Sequence, residues 1–198
     1  TDHPLIIKVA SIPVTRQQIY FIDNDDYFNN RQMGTDETGQ EYTDNGERAI
    51  FFARGVLETV KKLRWQPDVI ICQGWMSAVA PLYIKTAFAE EPSFANAKVI
   101  SALYTNELKG QLGDNFSNCV DFREAKSELL EGYKTPFDFT ELSKLAIDYS
   151  DGVIEGEANV SEELLQYAAE KEKPLMKFPG DDYTEAYKNF INEVCPDE

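Results

Sequence analysis

Gln66-Pro-Asp-Val-Ile-Ile-Cys-Gln-Gly-Trp-Met-Ser-Ala-Val-Ala-Pro-Leu-Tyr-Ile-Lys85 reads as a short buried strand, a polar Gln73-Gly74-Trp75 turn, and a helix. The apolar run from Asp68 to Cys72 has no polar alternation, the pattern of a parallel strand covered on both faces. A helix is expected from Met76 to Ala89, with Pro81 acceptable in a first turn or at a kink. In open α/β sheets the turn at the carboxyl end of such a strand is where ligands bind.

Upstream, Leu5–Ile12 and Gln18–Asp23 read as strands, joined by a link, Pro13–Gln17, short enough for a hairpin. Asn24–Tyr42 is rich in Asn, Asp, Gly, Gln and Thr and reads as a long polar loop, a type that is usually functional or disordered. A helix is expected from Asp44, with Glu47 three residues on as a capping box and Trp65-Gln66-Pro67 as its stop. Its apolar stripe is Ala49, Phe52, Ala53, Val56, Leu57, Val60 and Leu63. Downstream, Lys98–Tyr104, Asp151–Glu155 and Pro174–Phe178 read as strands. Phe122–Gly132, Phe139–Tyr149, Ser161–Lys171 and Asp181–Val194 read as helices, and Thr105–Asn118 as a loop. Strands alternating with helices predict one Rossmann-like α/β domain over residues 1–198, a parallel sheet with helices on both faces. The first two strands are open to a second placement, as an antiparallel hairpin at one edge. Right-handed crossovers put Gln73–Trp75, Tyr104–Asn106 and Glu155–Glu157 along one rim.

Composition narrows the partners. The 198 residues carry a net charge of −16, from 35 acidic against 19 basic side chains. That field repels nucleic acid and anionic membrane and leaves a neutral polymer acceptable. No apolar run is long enough to span a bilayer, and no secretory leader is visible. The first residue is not Met, so the true start and any leader can lie upstream. Cys72, Cys119 and Cys195 are odd in number and widely spaced, which points to free thiols in a reducing, cytoplasmic setting rather than disulfides or zinc. The single histidine, His3, sits at the beginning, so histidine-based acid–base chemistry and histidine metal sites are not expected.

The chain has no G-x-G-x-x-G, Walker or G-x-S-x-G motif. No cofactor and no metal are expected. Asp23, Asp25 and Asp26 lack EF-hand spacing and read as a solvated loop tip. Trp75 either stacks on a sugar face or plugs the hinge between strand and helix, and residue chemistry alone leaves both open. Tyr20, Tyr27, Tyr42 and Tyr104 are candidates for an aromatic lining. The candidate ligand-binding residues are Gln73, Gly74, Trp75, Tyr104 and Asn106 on the rim, with Asp23 and Asn24.

Four blocks together resemble the bacterial glycogen synthase and starch synthase family. Ile19-Tyr-Phe-Ile-Asp-Asn-Asp-Asp-Tyr-Phe28 is similar to its Y-F-I-D-N-x-x-Y-F block. Tyr42-Thr-Asp-Asn-Gly-Glu-Arg-Ala-Ile-Phe-Phe-Ala-Arg54 is similar to its D-x-x-R-F-x-F-F-S-R helix start. Leu63 to Tyr83, which spans the opening stretch, resembles G-W-x-P-D-V-I-H-x-H-D-W-x-x-A-L-x-P-x-Y. Val99-Ile-Ser-Ala-Leu-Tyr-Thr-Asn-Glu-Leu-Lys-Gly110 is similar to V-x-T-I-H-N-x-x-Y-Q-G. The match is good from Ile19 to Gly110 and weak elsewhere. It implies one half of a GT-B fold, the acceptor-side first domain of an enzyme that transfers glucose from ADP-glucose to an α-1,4-glucan, begun late and lacking upstream strands. The Cys-Pro-Asp-Glu end, after an amphipathic helix, favours a natural terminus.

The departures fall on the chemistry. The family's H-x-H-D-W is here Ile71-Cys72-Gln73-Gly74-Trp75, its I-H-N has no histidine here, and its upstream K-x-G-G-L loop and second domain are absent from these residues. Gln73 can hydrogen-bond a hydroxyl but cannot carry charge or move a proton. The pair Gln73-Gly74 is expected to keep the shape of the turn while removing its reactive groups. The resemblance therefore implies an α-glucan or maltooligosaccharide as ligand, ADP-glucose in a complete enzyme, and a catalytically incomplete chain. Two other readings stay open. One is a regulatory or scaffold subunit with a protein partner; the other is an enzyme completed in trans by a nucleotide-binding domain.

Overall fold

The computed structural model describes residues 3–105, 108–113 and 115–196. Its center is a four-stranded parallel sheet, β3 (Val69–Gln73), β4 (Lys98–Leu103), β5 (Gly152–Glu155) and β6 (Leu175–Met176), arranged side by side in chain order. β3 and β4 pair from Val69 with Lys98 to Gln73 with Ala102, and β5 continues with Leu103 beside Glu155. The first two strands, β1 (Ile6–Ser11) and β2 (Gln18–Asp23), form a separate antiparallel hairpin. Ile22 and Leu5 pack against Gly55 of α1 (Asn45–Lys62). The hairpin thus rides on a helix instead of extending the parallel sheet.

Alternation along the strands divides the core in two. Cys72, Val99, Leu103 and Val153 face the larger cluster, built with α1, α2 (Ala80–Lys85), α3 (Phe116–Val120), α4 (Phe139–Asp148) and α5 (Glu162–Glu170). Ile100, Ala102 and Ile154 face the other side and meet α6 (Tyr183–Val194) through Phe190, Tyr187, Ile191 and Val194. Among the described residues, helices therefore cover both faces, five on one and one on the other. Burial of these apolar side chains is the main stabilising term.

The structure revises several sequence expectations. The helix expected over Met76–Ala89 splits into a 3-10 turn, Trp75–Ser77, and the short α2, because Pro81 falls in its first turn and the helix begins at Ala80. Phe122–Gly132 is not a helix. Phe122 and Ala125 close a tight turn with Arg123 at φ 51, and only Ser127–Leu130 coils, as a 3-10 turn. The last strand shrinks from Pro174–Phe178 to two residues. The Asp44 capping box does not form: the Asp44 carboxylate makes no cap bond and instead takes both Nη groups of Arg31. Arg31 holds that carboxyl below its usual range.

Candidate functional site

The rim expected from crossover handedness is present. Parallel register brings the ends of β3, β4 and β5 to one side, and the Gly156 N–H donates to the Leu103 carbonyl at 2.8 Å, prolonging the β4–β5 pairing by one step. The Glu157 carboxylate accepts from both the amide and the hydroxyl of Thr105, which holds it below the usual carboxylate range. Glu155 accepts from the Phe178 amide at 2.9 Å. Both rim carboxylates are thus engaged in tying loops together.

Above the second face, between this rim and α6, lies an open groove of about 700 Å³. Gln73 and Tyr104 line it, with Phe178, Tyr183, Tyr187, Lys188 and Asn192 among their neighbours. Two of the expected residues therefore meet on one concave surface. Tyr183 and Tyr187, one helical turn apart on α6, stand edge to face with ring centroids 5.9 Å apart. Gly156 makes room beside Tyr104: a Cβ there would lie 2.8 Å from the Tyr104 ring and 2.9 Å from the Leu103 carbonyl.

The other expected residues go elsewhere. Trp75 is only 5% exposed and fills the hinge, touching the loop near Gly34, and its indole nitrogen is buried with no hydrogen-bond partner. Gly74 has φ 73 and ψ 175, a backbone region essentially reserved for glycine. The turn is therefore shaped around glycine rather than around an acid in that position. Asn24 is fully buried and structural. Its side-chain nitrogen donates to the Pro4 carbonyl, and its oxygen accepts from the Asp26 and Tyr27 amides. Asp23 pairs with Lys8 across the hairpin. Neither lines the groove. Asn106 lies outside the described residues. Of the four candidate tyrosines only Tyr104 lines this groove: Tyr20 packs edge-on against Trp65, Tyr27 stacks beside His3, and Tyr42 lies under Arg31 and Arg48.

Sequence reasoning missed the α6 contribution. Its signal was the spacing of Tyr183, Tyr187 and Ile191, an i, i+4, i+8 stripe that reads equally well as ordinary core. No group of three or more His, Cys, Asp or Glu suited to a metal occurs among the described residues. No described helix is long and apolar enough to cross a membrane.

Comparison with known proteins bears on this geometry. The family model described as starch synthase catalytic domain matches residues 2–177. The chain belongs to that family. Among its relatives, the glycogen synthase of Chlorobium limicola is 36% identical over 109 residues, 54% of this chain and 22% of that protein. The glycogen synthase of Chlorobaculum parvum is 28% identical over 148 residues, 74% of this chain and 30% of that protein. The chain thus spans less than a third of the length of these synthases. The catalytic domain of starch synthase IV from Arabidopsis thaliana, solved with ADP and acarbose, shares the fold at a TM-score of 0.64 and 13% identity, over 89% of this chain and 37% of that one. The sheet described above is one half of a GT-B synthase fold. The groove-lining part of α6 lies beyond the residues that the starch synthase family model matches.

Proposed function

We propose that this domain binds an α-glucan or maltooligosaccharide along the groove between the rim and α6, in the cytoplasm, and that it does not transfer glucose by itself. The observation that carries the reading is the convergence of Gln73 and Tyr104 with the α6 tyrosines on one open surface. A glucose ring offers apolar C–H faces and a belt of hydroxyls. Aromatic rings fit the first, while carboxamides, a threonine hydroxyl and an ammonium fit the second.

Transfer of glucose from ADP-glucose would require groups that stabilise a departing diphosphate and a cationic sugar center. Gln73 and Gly74 stand where the family motif carries a histidine and an acid, and the groove contributes one cation, Lys188. ADP-glucose is therefore assigned to a complete enzyme, in which this domain serves as the acceptor side. The test has two arms. Calorimetric titration with maltoheptaose is expected to show saturable binding, and incorporation of radiolabelled ADP-glucose into glycogen is expected to stay at background. Absence of glucan binding overturns the first half of the proposal; robust incorporation by this chain alone overturns the second.

A further inference from the structure

β5 lies between two strands that each lead into the groove. On one side β4 runs directly into Tyr104, and on the other β6 is followed, two residues on, by Phe178. Both rings line the groove. β5 itself runs out into Glu155-Gly156-Glu157, and each residue of this tripeptide bears on one of those two rings.

Toward β4, the Gly156 N–H donates to the Leu103 carbonyl at 2.8 Å, and the Glu157 Oε1 accepts from the amide and the hydroxyl of Thr105 at 2.5 and 2.6 Å. Leu103 and Thr105 are the chain neighbours of Tyr104, so its backbone is pinned on both sides. The ring lies against Gly156, where a Cβ would come within 2.8 Å of its Cζ. Among the described residues the Tyr104 hydroxyl has no hydrogen-bond partner, so the ring is placed from its backbone and from the glycine beside it, not from its tip. Burial and the Glu157 charge together raise the Tyr104 phenol above its ordinary 10, so that charge is felt at the ring. Toward β6, the Glu155 Oε2 accepts from the Phe178 amide at 2.9 Å and ties down the backbone of the second ring.

Neither glutamate belongs to the groove lining. Both are turned onto backbone amides instead, as charge-assisted acceptors, which are the stronger kind. We propose that Glu155 and Glu157 are positioning residues for the groove, setting Phe178 and Tyr104 in place from the strand between them. The proposal rests on the reading of the groove as a glucan site, but the placement of the rings is measurable without a ligand.

Placement is read by NMR as the nuclear Overhauser contact between the Tyr104 ring and the Gly156 α-protons. That contact is expected in wild type and in Glu157→Gln, and is expected to be lost in Glu157→Ala. Both bonds of Glu157 end on one oxygen, which a carboxamide keeps. Maltoheptaose calorimetry is expected to give the same order, with Glu157→Gln near wild type and Glu157→Ala about two- to tenfold weaker, the size of one aromatic contact. Glu157→Ala added to Tyr104→Ala should bring no further loss, because it acts through that ring. Glu155→Ala added to Phe178→Ala should likewise be silent.

An unchanged ring contact or an unchanged affinity in Glu157→Ala overturns the proposal. So does a loss that persists in full in the Tyr104→Ala or Phe178→Ala background, or a Glu157→Gln protein as weak as Glu157→Ala. Where Glu157→Ala fails to fold, Thr105→Val decides: it loses the hydroxyl bond alone and is expected to weaken the ring contact, and a wild-type contact there overturns the proposal. Failure of the wild type to bind maltoheptaose sinks the glucan reading instead, and the ring contact then decides this proposal by itself.

Discussion

The Arg48 Nε donates to the Tyr27 carbonyl at 2.9 Å, fastening the first turn of α1 to a loop that precedes it by about twenty residues. The same guanidinium donates to the carbonyls of Gln32 and Met33 and to the Asn45 side chain, and Arg48 is 1% exposed. The long polar segment before α1 is therefore wound around one cation and is not loose. Arg48→Met leaves three part-buried carbonyls without this donor and should cost about 3 kcal/mol. A urea melt should show the lowered midpoint, and limited proteolysis should cut first between Asn24 and Tyr42. A midpoint unchanged by this substitution would mean that the segment is held by other contacts.

Gly74 yields a second prediction. Reinstating the family's acid, as Gly74→Asp, forces a side chain onto a backbone at φ 73 and ψ 175. Such positions cost on the order of 1–3 kcal/mol for residues other than glycine. The variant should melt at lower temperature, and Gln73→His combined with Gly74→Asp should still fail to incorporate glucose, because the turn is not built for the acid. Turnover in that double variant would show that the turn adapts.

Glucan affinity should depend on α6. Tyr187→Ala removes one ring of the proposed stacking surface and should weaken maltoheptaose binding about two- to tenfold, using the roughly 0.5–1.5 kcal/mol of an aromatic contact. Gly156→Ala should weaken it too, by pressing a methyl group toward the Tyr104 ring and the Leu103 carbonyl. Calorimetry reads both. Unchanged affinity in the two variants would place the sugar elsewhere.

Acid sensitivity should follow Asp151. Burial pushes its carboxyl up, but the Lys85 ammonium and the Val99 amide, each at 2.8 Å, outweigh this and hold it below its ordinary 3.8. A depressed folded pKa means that the stabilisation is present above the unfolded value and is lost as pH falls through the folded one. Melting temperatures of wild type and Asp151→Asn should therefore differ at pH 7 and converge as pH falls below the ordinary 3.8 and through the folded value. A constant difference down to pH 2 would assign the effect to packing.

Thiol reactivity should separate the three cysteines. Burial pushes the Cys72 thiol up to about 12, while Cys119 and Cys195 are partly accessible. Ellman's reagent at pH 8 should leave Cys72 unmodified until denaturant is added. Mass mapping of the labelled peptides checks this.

The sheet was legible because Val69–Cys72 is an uninterrupted apolar run and Val99–Leu103 is apolar but for Ser101, and such runs have few other uses in a polar chain. Family blocks added the half-fold. The groove was not legible. Tyr183 and Tyr187 share their spacing with any amphipathic helix, and only the position of α6 across the rim reveals that they face Gln73. The tight turn at Phe122–Ala125 was hidden for a related reason: Arg123 adopts positive φ, which its residue type does not signal. Asp44 was misread because a capping pattern is local, whereas Arg31 reaches it from the preceding loop.

The unequal division of helices about the sheet carries a consequence for how the molecule is made. β3, β4, β5 and β6 step across the sheet in one direction, so right-handed crossovers must all pass on the same side. Nothing between those strands can shield Ile100, Ala102 and Ile154, which wait for α6. Among the described residues, only Tyr183–Val194 covers that apolar face, so a nascent chain stalled before α6 leaves it uncovered by them, the kind of exposed surface that favours aggregation.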